Sequence, residues 1–142
     1  MIERSKEYTK IGRRLIRSHP WLEALKDSGA RIAFLESSEE KMKSRTMVVH
    51  ADCNLVSNRY KWCCHYDFFI VVYAPNVVDF TPEQIEILLL HELMHCGVDN
   101  DSIEQGFYIV PHDVEDFRAI IDRYGLDWSG ADAEGRESDF KE

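Results

Sequence analysis

The sequence predicts an α+β domain, in which a small mixed β-sheet packs against one central helix and further helices lie near both ends of the chain. Three observations predict it. Thr81 to Gly97, TPEQIEILLLHELMHCG, sets helix-start and helix-stop residues around a nearly continuous apolar run. Tyr66 to Tyr73, YDFFIVVY, is a run of aromatic and β-branched residues, the pattern of a strand covered on both faces. Residues 3–17 and 114–124 each repeat apolar side chains at helical spacing. The chain has 142 residues, enough for one core, and 44% of them are hydrophobic.

In order, residues 3–17 are expected to be helical, with Tyr8, Ile11 and Leu15 on the apolar side. His19-Pro20 breaks this helix, because the residue before a proline avoids the α region. Trp21, Leu22 and Leu25 suggest another turn or two, stopped by Ser28-Gly29. Arg31 to Leu35 is a candidate strand, and Glu36 to Arg45 a polar loop. Thr46 to Ala51 is a second candidate strand by its β-branched centre. Residues 52–64 carry the turn formers Asn54, Ser57 and Asn58 and have no clear assignment. After the central helix, Phe107 to Val110 reads as a short strand and Val114 to Tyr124 as a helix stopped by Gly125. The domain is expected over 1–128, and 129–142, small, polar and acidic, as a flexible tail.

The central helix has strong local signals. Thr81 suits the N-cap, Pro82 the first helical position, and Gln84 completes a capping box with Thr81. Gly97 is the expected stop. The apolar residues leave almost no polar face, which predicts burial nearly all round. Inside this helix lies His91-Glu92-Leu93-Met94-His95, an HExxH sequence. Residues four apart share one helix face, so both imidazoles can reach one metal ion with Glu92 beside them. This is the zincin arrangement of two zinc-binding histidines and a general base. An HExxH on a solvated helix occurs by chance; buried, its polar groups need partners or a ligand.

A catalytic zinc keeps three protein ligands and an open position. By ligand type and position His112 is the first choice for the third, 17 residues beyond His95 where a strand or loop feeds a helix. Glu115 is the main competitor; Asp99, Asp101, Glu104 and Asp113 are weaker candidates in an acidic segment. Glu115 or Asp116 could instead accept the ring N–H of a liganding histidine, and the three acids at 113, 115 and 116 also suit a helix N-terminus. Tyr60, Tyr108 and Tyr124 are possible oxyanion donors, with nothing to select among them. His19 is read as a surface or boundary residue without a role, and His50 as a structural histidine rather than a ligand.

Composition narrows the function. No stretch approaches the ~20 apolar residues of a membrane span, and the start MIERSKEYTK has no signal-peptide core. A soluble cytoplasmic protein is expected, with Cys53, Cys63, Cys64 and Cys96 as reduced thiols. A second metal site at Cys53, Cys63, Cys64 and His65 would match no standard zinc spacing. The net charge of −9 belongs entirely to residues 99–142, and 1–98 are neutral overall. A local basic surface on residues 1–17 is read as a solvated helix face, and the overall balance argues against a dedicated nucleic-acid binder.

HELMHCG followed by VPHDVEDF resembles the putative phage metallopeptidases, small zincin-like proteins of phages and prophages. Their HEL(L/M)H is followed by HD(V/I)EDF and preceded by a strand of the YDFFIVV type. The resemblance spans about Asp67 to Tyr124. It implies zinc at His91, His95 and His112, Glu92 as catalytic base and protein or peptide substrates in the host cytoplasm. A histidine before a later helix is also similar to the SprT-like proteases. The N-terminal segment and residues 53–64 have no counterpart in it. The expected activity is peptide hydrolysis by a metal-activated water with Glu92 as general base. The alternatives are a zinc-stabilised binding or inhibitor protein and a metal-dependent hydrolase of non-peptide bonds.

Overall fold

A computed structural model describes residues 1–99, 106–112 and 118–125. The chain forms two compact units, Met1–Val110 and Pro111–Glu142. In the second, the described element is α4 (Arg118–Tyr124), ended by Gly125 at φ 87° as its sequence suggested. Residues 129–142, expected to be a tail, lie outside the described residues, as do Val114 and Phe117 of the expected apolar face.

The first unit is α+β. It runs β1 (Ile2–Arg4), α1 (Lys6–Ser18), α2 (Glu23–Ser28), β2 (Ile32–Ser37), β3 (Ala51–Leu55), β4 (Phe68–Tyr73), α3 (Pro82–Met94), β5 (Cys96–Asp99) and β6 (Gly106–Ile109). Four strands form a mixed sheet in the order β1-β2-β4-β3. Its centre is the parallel pair β2 and β4, with β1 and β3 antiparallel on the two edges. β5 and β6 form a separate antiparallel hairpin.

The apolar run of β4 earns its central place. Phe68, Ile70 and Val72 alternate onto one face and are fully buried; on the other face Val71 is buried and Phe69 half-buried. Ile32 and Phe34 of β2 continue the first face, where Tyr8 and Leu15 of α1 and Ile85, Leu89 and Leu93 of α3 join the core. A buried carboxylate steadies the start of this pair: Asp67 accepts hydrogen bonds from Arg31 N at 2.8 Å and from the Lys61 ammonium. A carboxylate this deep needs such donors.

Three expectations shift. The first helix starts at Lys6, not residue 3, because Ile2–Arg4 pair with Leu35–Ser37; Ser5 is then its N-cap and accepts from Tyr8 N at 3.1 Å. The second strand is Ala51–Leu55 rather than Thr46–Ala51, whose stretch has only the bridge between Met42 and Val48. Propensity favoured Val48 and Val49, but register follows the partner, and Phe68–Val72 pair with the later residues. The central helix stops at Met94, and Gly97 lies in β5 with the Tyr108 ring over it. A Cβ there would sit 2.6 Å from that ring.

Gly12 shows how closely α1 approaches the sheet. A Cβ at this position would lie 2.1 Å from Cζ of Phe34, which is 2% exposed. Ala is the better helix former by up to about 1 kcal/mol, yet displacing a buried ring costs about 1–3 kcal/mol. Gly12→Ala is therefore expected to lower the urea midpoint. A raised midpoint would mean that α1 does not rest on Phe34.

Candidate metal centre

The central helix starts as its sequence predicts. Thr81 Oγ1 accepts from Gln84 N at 3.2 Å, and Gln84 Oε1 accepts from Thr81 N at 2.8 Å. From there α3 turns Ile85, Leu89 and Leu93 into the core. The expected burial all round does not hold. Ile87 is 62% and Met94 46% exposed, and the His91 side chain is half exposed. The helix therefore has one packed face and one open face, on which Ile87 and Met94 stand among Glu83, Gln84 and His91.

His91, Glu92 and His95 stand at the border of these faces. The His91 and His95 rings lie 5.0 Å apart between centroids, tilted by 73°. Glu92 is 5% exposed, and its Oε2 lies 4.0 Å from His91 Nε2. Burial pushes the Glu92 carboxyl up to about 7, and the Asp52 charge adds to the rise. Asp52 is itself held by Lys41 at 2.7 Å, the Tyr73 hydroxyl at 2.8 Å and Asn54 at 2.9 Å. A cation beside Glu92 would favour its ionised form and bring the carboxyl back down.

The hairpin β5–β6 brings the chain back to His95. Cys96 pairs with Ile109, and the next residue, Val110, closes on His95 twice. Val110 N donates to the His95 carbonyl at 2.8 Å, and Val110 O lies 2.5 Å from His95 Nδ1. A carbonyl oxygen can only accept, so Nδ1 donates, and the neutral ring then carries its lone pair on Nε2, where it is available to a ligand. His112 follows Val110 by two residues, and the ligand atoms of His91, His95 and His112 lie within 4.8 Å of one another. These three histidines could hold a metal ion.

The sequence thus named all three histidines. It left the carbonyl of Val110 unseen, because a backbone acceptor carries no side-chain signal. Glu115, the alternative ligand, lies outside the described residues, as do Asp101, Glu104, Asp113 and Asp116. The cysteines gather no second metal group among the described residues. Instead Cys53 Sγ lies 3.6 Å from Cys96 Sγ; that contact and burial raise the Cys96 thiol, so it stays protonated. A larger cavity, about 990 Å³, runs along α1 from Arg4 to Arg17 and holds none of the histidines or Glu92. It follows the basic helix face, from which Arg14 reaches Glu86 of α3 at 2.8 Å.

The family model for putative phage metallopeptidases matches residues 1–134. The chain belongs to this family. The match extends the likeness of 67–124 back over the N-terminal helix and the cysteine-rich stretch. No curated protein and no solved structure matches the chain. The family's description is that of a peptidase, a hydrolase with protein substrates, and the three histidines agree with its need for a metal. Among the described residues no helix is long and apolar enough to cross a membrane.

Proposed function

We propose that this protein is a zinc-dependent peptidase, with His91, His95 and His112 as the metal ligands and Glu92 as the general base. The observation that carries the reading is the gathering of three imidazole nitrogens within 4.8 Å beside a buried carboxylate. Three neutral imidazoles suit zinc, with a fourth position left for water or substrate. Val110 supports the set, because its carbonyl holds His95 in the tautomer that a metal requires.

Bound zinc supplies a Lewis acid and lowers the pKa of a coordinated water to about 7. Glu92 does the proton work. Its carboxylate takes a proton from the attacking water and passes it to the departing amine as the C–N bond breaks. Burial raises the Glu92 carboxyl and a bound cation would lower it again, and the ionised form this leaves is the one that accepts the proton. Action in the host cytoplasm, where Cys53, Cys63, Cys64 and Cys96 would stay reduced, belongs to this reading.

The test is elemental analysis of the purified protein. Wild type should carry one zinc per chain, and His91→Ala and His112→Ala should lose it or bind at least about tenfold more weakly. Zinc retained in His112→Ala would remove that residue from the ligand set and turn attention to Glu115. A wild type that takes up no metal after zinc is supplied would overturn the reading.

A further inference from the structure

We propose that the cleft beside Glu92 receives an apolar side chain of the peptide substrate, and that Ile87, Leu88 and Phe80 set this preference. The inference rests on the peptidase reading and deepens it. The cleft has a volume of about 470 Å³, within the range of ligand sites. Val49, Phe80, Ile87 and Leu88 make its apolar walls, and His91 and Glu92 line the same space. His50 also lines the cleft and meets the Phe80 ring with centroids 4.9 Å apart and planes tilted by 52°.

Two features argue for a substrate side chain rather than an unrelated partner. Ile87 keeps 62% of its surface in water, on the open face of a helix whose packed face already fills the core. Apolar surface left open beside a reactive carboxylate is surface that an occupant would cover. The second feature is distance. Ile87 precedes His91 by four residues, about 6 Å along the helix axis. An extended peptide covers that in about two residues. A side chain resting on Ile87 therefore belongs to a residue within two of the bond presented to Glu92. Burying it there converts apolar contact into positioning of the scissile carbonyl. A carboxylate resting on Val49, Phe80, Ile87 and Leu88 would lose water, find no hydrogen-bond donor in those side chains and face Glu92.

The test uses the full chain with zinc added and Glu92→Gln in place, so that binding is read without turnover. The probes are end-blocked hexapeptides, alanine throughout except for one Leu, Phe, Asp or Lys, with affinity measured by calorimetry. Leu and Phe peptides should bind at least about tenfold more tightly than the Asp peptide. Adding Ile87→Lys, at an exposed position, should erase that difference, whereas Ile87→Leu should keep it. Equal binding of all four peptides, no binding, or a preference untouched by Ile87→Lys would overturn the proposal. With Glu92 intact, cleavage should fall within two residues of the Leu or Phe, and cuts elsewhere would also overturn it. Peptides that bind with this preference yet stay uncut by the wild type would leave the cleft standing and remove the peptidase reading.

Discussion

Glu92→Gln is expected to lose about 10²–10⁴-fold in peptide cleavage while keeping its zinc. The substitution preserves the shape of a side chain that is 5% exposed, so the packing around α3 should survive. It removes the one property that the proposed mechanism needs, because an amide cannot take the proton from the attacking water. The histidines are untouched, and His95 keeps its bond to Val110 O. Folding should not suffer, since burial already works against a charged group here, raising the Glu92 carboxyl to about 7. The measurements are kcat/KM on a cleaved peptide, zinc per chain and the thermal midpoint. A variant that cuts as fast as wild type would sink the role of Glu92. Loss of zinc together with activity would show that Glu92 supports the metal instead of moving the proton.

The second large effect lies in the core. Phe34→Ala is expected to cost about 3–5 kcal/mol, a large share of the ~5–15 kcal/mol that holds a typical domain. Phe34 is 2% exposed and sits on β2, beside the fully buried β4, with α1 resting on its ring at Gly12. Its removal leaves a cavity that α1 cannot readily close, because the backbone on either side of Gly12 is held in a helix and Ser5 N is bonded to Phe34 O at 2.9 Å. Equilibrium denaturation in urea reads the loss directly. A cost below about 1 kcal/mol would mean that the space collapses and that Phe34 is not central to the packing.

The candidate metal-binding histidines are more legible than the sheet edges, and the reason is the range over which each is specified. HExxH places two imidazoles on one helix face by local geometry alone. Thr81, Pro82 and Gln84 start that helix through bonds between residues three apart, which a sequence displays openly. The end of the same helix was misread. Gly97 is a common stop, but here Cys96–Asp99 pair with Gly106–Ile109 and take the chain into a hairpin first. Burial of the helix was overestimated for a similar reason. The apolar pattern of Ile87 and Met94 matches that of Leu89 and Leu93, and only packing separates exposed from buried.

The class of the fold, a strand within Tyr66–Tyr73, the capped start of the central helix and a set of candidate histidines beside a carboxylate are all legible in the sequence. These depend on composition, period and short spacings, which need no partner to be read. The tertiary structure alone decided that Ile2–Arg4 is a strand, that Ala51–Leu55 rather than Thr46–Ala51 forms the edge, and that Val110 orients His95. It also decided that an apolar cleft opens beside Glu92. Each of these is a contact between residues distant in sequence, set by the register and packing of whole elements, and no local pattern of side chains encodes it.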